Sequence, residues 1–173
     1  MEPQEVMDVN VCDDFPPNFL EALGRYAVEF GRVEYLVKVA VKSLFKRTTK
    51  TKLSGGIKAF EAGVAQAEKE GQFGRVCKKA KTLAAQGLSE AHALTFIALI
   101  ERATTLAEER NDNLHALWTG IEQKSFRYRP FWNRETKELE WRNDNVAPAD
   151  LDRLTEALRA LGDRLREARA QWP

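Results

Sequence analysis

Arg110-Asn111-Asp112-Asn113-Leu114-His115 places a guanidinium and an imidazole within six residues, and His115 is one of only two histidines in the chain. Histidine is the side chain suited to moving protons near neutral pH. Arginine presents a fixed fork of donors that matches phosphate or carboxylate oxygens. The setting sharpens the point. Projected at about 100° per residue, Phe96, Leu99, Ile100, Ala103, Leu106, Ala107, Leu114, Leu117 and Trp118 share one helical face, and Arg110 falls in the middle of it. Burying an unpaired guanidinium costs several kcal/mol. Arg110 is therefore either paired inside, snorkelling to solvent along its stem, or turned toward a partner subunit or a site. A counter-charge is available: Leu20, Leu23, Ala27, Phe30, Glu34, Val37, Val41 and Leu44 recur at spacings of three and four, and Glu34 is the one acid in that stripe. Asn111 and His115, four apart, lie together along an edge of the motif helix. Arg110 and His115 are about 140° apart on an ideal helix. Their convergence requires a helix irregularity, long side chains or two subunits.

The run reads R-N-x-x-x-H, late in a long helix and followed by Trp118. It resembles the R-x(4–6)-H signature of the HEPN superfamily. The resemblance covers the bundle pattern and about ten residues. It implies an up-and-down helical bundle, homodimerisation that brings two motifs into one cleft, and metal-independent endoribonuclease activity without a cofactor. It also implies RNA as substrate and a toxin–antitoxin or phage-defence role, with an antitoxin protein as a further partner. RNA cleavage through the 2′-hydroxyl needs a base for that proton and an acid for the departing 5′-oxygen, work worth about 10²–10⁴-fold. On this reading His115 is the acid/base, Arg110 holds the scissile phosphate as its charge builds, Asn111 orients, and Glu34 positions Arg110. Two other readings use the same residues: a non-catalytic helical dimerisation or regulatory module whose interface is the motif, and nucleotide binding or transfer in the same cleft.

Several elements must carry these residues. Asp14 with Pro16-Pro17 starts a first helix that runs to about Arg47. Gly24 and Gly31 lie on one side of it. A polar loop ends at Gly55-Gly56, a short helix covers about Ile57 to Glu70, and a third covers about Arg75 to Gln86. Gly87 reads as a C-terminal cap and Ser89 as the next N-cap, opening the motif helix from about Glu90 to Trp118. His92, near its start, reads as a surface residue. Between Gly120 and Asn145 the helical period gives way to alternation in Ser125-Phe126-Arg127-Tyr128-Arg129 and in Glu138-Leu139-Glu140-Trp141-Arg142. This predicts a β-hairpin. Arg127, Tyr128 and Arg129 within it, and Trp118 at the end of the motif helix, are the candidate RNA-binding residues, offering stacking and cationic groups; the other reading of the hairpin aromatics is a cover for the bundle end. Pro148 opens a last helix whose Leu151, Leu154, Leu158, Leu161, Leu165, Ala168 and Trp172 form a continuous seam.

The expected fold is thus all-α: a bundle of four to five helices with a small hairpin inserted before the last. Residues 1–15 form a flexible acidic lead-in and residues 16–173 a single domain, with the hairpin at about 120–145. At 173 residues the chain is long enough for a proper core. A hydrophobic fraction of 43% with 31% charged residues describes a soluble globular protein. The net charge of +1 makes no global case for nucleic acid. Lys38, Lys42, Lys46, Arg47, Lys50, Lys52 and Lys58 nonetheless form a local basic run, which suits either a solvated turn or phosphate contact. Cys12 and Cys77 have no metal or redox spacing. No metal site is expected, no apolar run is long enough to cross a membrane, and a reducing cytoplasm is the expected compartment.

Overall fold

The computed structural model describes residues 14–49 and 73–172. Four helices and one sheet follow in order: α1 (Phe19–Thr49), α2 (Phe73–Gly87), α3 (Glu90–Leu114), β1 (Leu117–Ile121), β2 (Lys124–Asn133), β3 (Glu138–Asn145) and α4 (Pro148–Ala170). The short helix expected over Ile57–Glu70, and the basic run from Lys50 onward, lie outside the described residues.

The core is made where each helix turns its apolar face inward. From α3 come Phe96, Leu99, Ile100, Ala103, Leu106 and Ala107, as the periodicity predicts. From α4 come Leu151, Leu158, Leu161, Leu165 and Ala168. Trp172 closes that seam edge-on against Phe96, with ring centroids 5.1 Å apart. α4 lies chiefly against α1. Its start is fixed by Pro148 in the first turn and by Asp150, whose carboxylate accepts the Ala147 N–H at 2.9 Å. That hydrogen bond holds the Asp150 carboxyl below its ordinary range.

The α1 stripe differs from expectation. The buried set is Phe19, Ala22, Tyr26, Phe30, Val33, Val37, Ala40, Val41 and Leu44, whereas Leu20 is exposed. Two apolar ridges run along this helix, and packing selects the one carrying Phe19, Tyr26 and Val33. The inward face is thereby rotated about 55° from the predicted stripe at 100° per residue. Glu34 consequently sits half-buried at the edge of the core.

The all-α description is overturned by the sheet. Instead of a small hairpin, three strands form an antiparallel meander in the order β1-β2-β3. Leu117 pairs with Tyr128, Phe126 with Asn145, and Trp132 with Leu139. The motif helix ends at Leu114, four residues short of the predicted Trp118, and the chain enters β1 at once. The β1–β2 turn explains why β1 was illegible. Its central residues, Glu122 and Gln123, have φ of 50° and 58°, a conformation usually signalled by Asn-Gly. Asp14 supports this unfavourable pair: its carboxylate accepts the Gln123 backbone N–H at 3.2 Å and also the Gln123 side-chain amide. The contact is close. A Cβ on Gly120 would lie 2.4 Å from the Asp14 carbonyl carbon and the Phe15 nitrogen. Phe15 stacks on Phe19 at 5.1 Å, and Phe19 meets Trp118 at 5.0 Å. The end of the acidic lead-in thus fastens β1 to the start of α1.

Candidate functional site

Arg110, Asn111, His115 and Glu34 line one open cleft of about 810 Å³. α1 contributes Phe30 and Glu34, α2 contributes Phe73, Gly74 and Arg75, and α3 contributes Thr104, Ala107, Glu108, Arg110 and Asn111. His115 closes its end, one residue beyond the last turn of α3.

Termination of α3 gives His115 its position. The His115 backbone, at φ −105° and ψ 5°, leaves the helix while its N–H still donates to the Asn111 carbonyl at 3.1 Å. The Trp118 indole N–H donates to the Asn113 carbonyl at 2.8 Å, satisfying one of the carbonyls a helix end leaves open. His115 itself is exposed, while Asn113 is buried.

Arg110 is half-buried. Its guanidinium carbon lies 5.2 Å from the Phe30 ring centroid, in cation–π range. One terminal nitrogen donates to Asn111 Oδ1 at 3.0 Å. Among the described residues its Nε is buried without a hydrogen-bond partner. The expected ion pair with Glu34 does not form among the described residues: the Glu34 carboxylate meets Lys38 Nζ at 3.1 Å, one turn along α1. Asn111 accordingly steadies Arg110, and its only hydrogen bond to His115 runs through the backbone. Arg75 adds a second cation to the lining, and Glu34 and Glu108 are its acids.

The four sheet residues expected to meet RNA are placed elsewhere. The last turn of α3 contains no base but carries Asp112, an arrangement that opposes the helix dipole. Arg127 and Arg129 supply the missing positive charge from β2. Arg127 donates to Asn113 Oδ1 at 2.6 Å and to Asp144 Oδ2 at 2.9 Å. Arg129 donates to the same Asp144 oxygen at 2.8 Å and also to Asp112. The Arg127 hydrogen bond, aided by Arg129, holds the Asp144 carboxyl below its ordinary range. The Tyr128 hydroxyl accepts from Asn143 Nδ2 at 3.3 Å on the opposite side of the sheet. Trp118 packs on Phe19. None of the four lines the cleft.

Phe30, Thr104 and Arg75 are lining residues the sequence reading does not single out. Nor does it single out Asn113, although the rule that exposes Arg110 applies there too, since Asn113 stands seven residues after Leu106 on the core face. Beside it, Tyr26 is buried and its phenol is pushed up to about 12 by burial. Among the described residues no group of three or more His, Cys, Asp or Glu is placed to hold a metal ion. Also among them, no helix is long and apolar enough to cross a membrane.

No family model matches the chain, and neither a curated protein nor a solved structure matches it.

Proposed function

We propose that the chain is a HEPN-type, metal-independent endoribonuclease acting as a homodimer. The observation that carries the reading is the shared cleft: an exposed histidine and a half-buried arginine with an unpartnered Nε line the same opening. In the reaction, a His115 imidazole takes the proton of the 2′-hydroxyl as that oxygen attacks phosphorus. An imidazolium, from the second copy of the motif, gives a proton to the departing 5′-oxygen, leaving a 2′,3′-cyclic phosphate. Arg110, steadied by Asn111, balances the charge of the five-coordinate phosphorus. Glu34, held by Lys38, limits the cleft on the α1 side, and substrate specificity in this scheme rests on the cleft lining. A cytoplasmic toxin or phage-defence role, with an antitoxin protein as partner, follows from the same resemblance.

The test is cleavage of single-stranded and structured RNAs by wild type, Arg110→Ala and His115→Ala. Each variant is expected to lose about 10²-fold or more of the rate, with wild-type cleavage unchanged in excess chelator. Undiminished cleavage in both variants sinks the assignment. The packing of Arg110 against Phe30 favours a second reading, a non-catalytic dimerisation module. Under it the same substitutions lower stability or association, and no RNA is cut by the wild type.

A further inference from the structure

The sheet is amphipathic in the inverse of the usual sense. Its inward face carries Arg127, Arg129 and Asp144, tied to the end of α3. Strand alternation puts the apolar residues on the outward face. Leu117, Ile121, Trp132, Leu139 and Trp141 lie there, and they are five of the nine exposed large apolar side chains among the described residues. Both tryptophans are about 60% exposed, at 61% and 58%. They sit on neighbouring pairs of the ladder, Trp132 opposite Leu139 and Trp141 opposite Pro130. Of the twelve residues on this face, Lys124 alone is charged, and it lies at one end.

We propose that this outward face is a self-association surface, covered by the same face of a second copy. The proposal stands apart from the ribonuclease reading: none of the twelve residues of this face lines the cleft, so this contact is additional to one that would join two His115 motifs. Three features select the occupant. A nucleic acid needs cations along its phosphates, and one lysine in twelve positions does not supply them. A strongly charged peptide finds no counter-charges here either. The same face of another copy is apolar, aromatic and nearly uncharged, and the single Lys124 of each copy stands at one end of the central strand, where a two-fold axis lying across the strands keeps the pair apart. The size is also adequate. β2 has ten residues, which makes the face about 33 Å long and, with three strands, about 14 Å wide. Two such faces packed at the usual sheet-to-sheet spacing bury on the order of 900 Å², the size of a weak interface that dissociates on dilution.

The experiment is sedimentation velocity on the full chain over roughly a 100-fold concentration range, with tryptophan emission read on the same samples. Wild type is expected to sediment as a dimer that dissociates on dilution, with emission shifting to the red as Trp132 and Trp141 meet water. The Leu139→Lys/Trp141→Lys variant is expected to weaken association by about 100-fold or more, as loss of an aromatic anchor does, while its helical circular dichroism stays unchanged. Trp141→Phe is expected to remain a dimer. A wild type that is monomeric throughout overturns the proposal. So does a double variant that dimerises normally, or a dimer whose dissociation leaves the emission unmoved. Emission that responds to single-stranded RNA and not to chain concentration overturns it in favour of a nucleic-acid platform. Because these readouts are mass and emission, failure here is distinct from failure of RNA cleavage.

Discussion

Replacing Gly120 by Ala tests the least expected contact in the fold. The added Cβ would stand 2.4 Å from two backbone atoms of Asp14 and Phe15, where ordinary contact begins at 3.4 Å. Backbone cannot rotate away as a side chain can, so the Asp14–Phe15 segment must lift by about 1 Å or more. Overpacking of this kind costs about 1–3 kcal/mol. Loosening the Phe15–Phe19 stack adds roughly 0.5–1.5 kcal/mol. The expected loss is therefore about 2–4 kcal/mol. Gly24→Ala is the matched control, because nothing lies within 4 Å of its Cβ and the site is an exposed helix interior. There alanine is expected to stabilise by about 0.5–1 kcal/mol. Urea unfolding followed by circular dichroism measures both. At about 2–4 °C per kcal/mol for a chain of this size, Gly120→Ala should lower Tm by roughly 5–15 °C. If Gly120→Ala unfolds within about 0.5 kcal/mol of wild type, Asp14 and Phe15 do not lie against β1, and the argument for a docked lead-in fails.

Other outcomes follow from polar groups in and beside the core. The folded-state carboxyl of Asp144 is held below 3.8, so its contribution is present at pH above the unfolded value and is lost as pH falls through the folded one. Asp144→Asn should thus be less stable than wild type at pH 6, and the gap should narrow as both are acidified below about pH 4; a gap independent of pH in acid urea titrations refutes the ion-pair account. Tyr26 works in the opposite direction. Its phenol is raised to about 12 by burial, so stability falls as pH rises from about 10, where the unfolded phenol ionises, to about 12. Tyr26→Phe should flatten that alkaline limb and cost little stability at pH 7, since among the described residues the buried Tyr26 hydroxyl meets no partner at full hydrogen-bond geometry, with Asn113 beside it; a loss of about 0.5–1.5 kcal/mol, the range of an ordinary hydrogen bond, would reveal a bond that is made.

Much of the helical scaffold is legible because its periodicity is unambiguous. The α3 and α4 seams each have one apolar ridge, so phase and burial follow directly from Phe96 to Ala107 and along α4; Leu117, expected on the core face of the motif helix, lies instead on β1 and is exposed. On α1 two ridges compete, and the local pattern cannot say which one meets α4; the rotation that leaves Leu20 exposed and Glu34 at an edge is a tertiary choice. The sheet was half legible. Alternation announces β2 and β3, but Glu122-Gln123 carries no turn signature, and its support comes from Asp14, 109 residues away. Within the site, a cation in an apolar stripe located Arg110, and the motif spacing located His115. Arg127 and Arg129 looked available for phosphate because their partners, Asn113, Asp112 and Asp144, are distributed over two other elements. No local reading pairs them.

That distribution also makes the two sides of the molecule mechanically continuous. One oxygen of Asp144 is gripped by both arginines of β2, and their other donors hold the side chains of Asp112 and Asn113. β3, β2 and the final turn of α3 are therefore clamped like spokes to a hub. Asn111 sits in that same turn, Arg110 directly precedes it, and His115 begins the two-residue link to β1. A load that slides β2 along β3 has no slack to take up before it reaches the rim of the cleft.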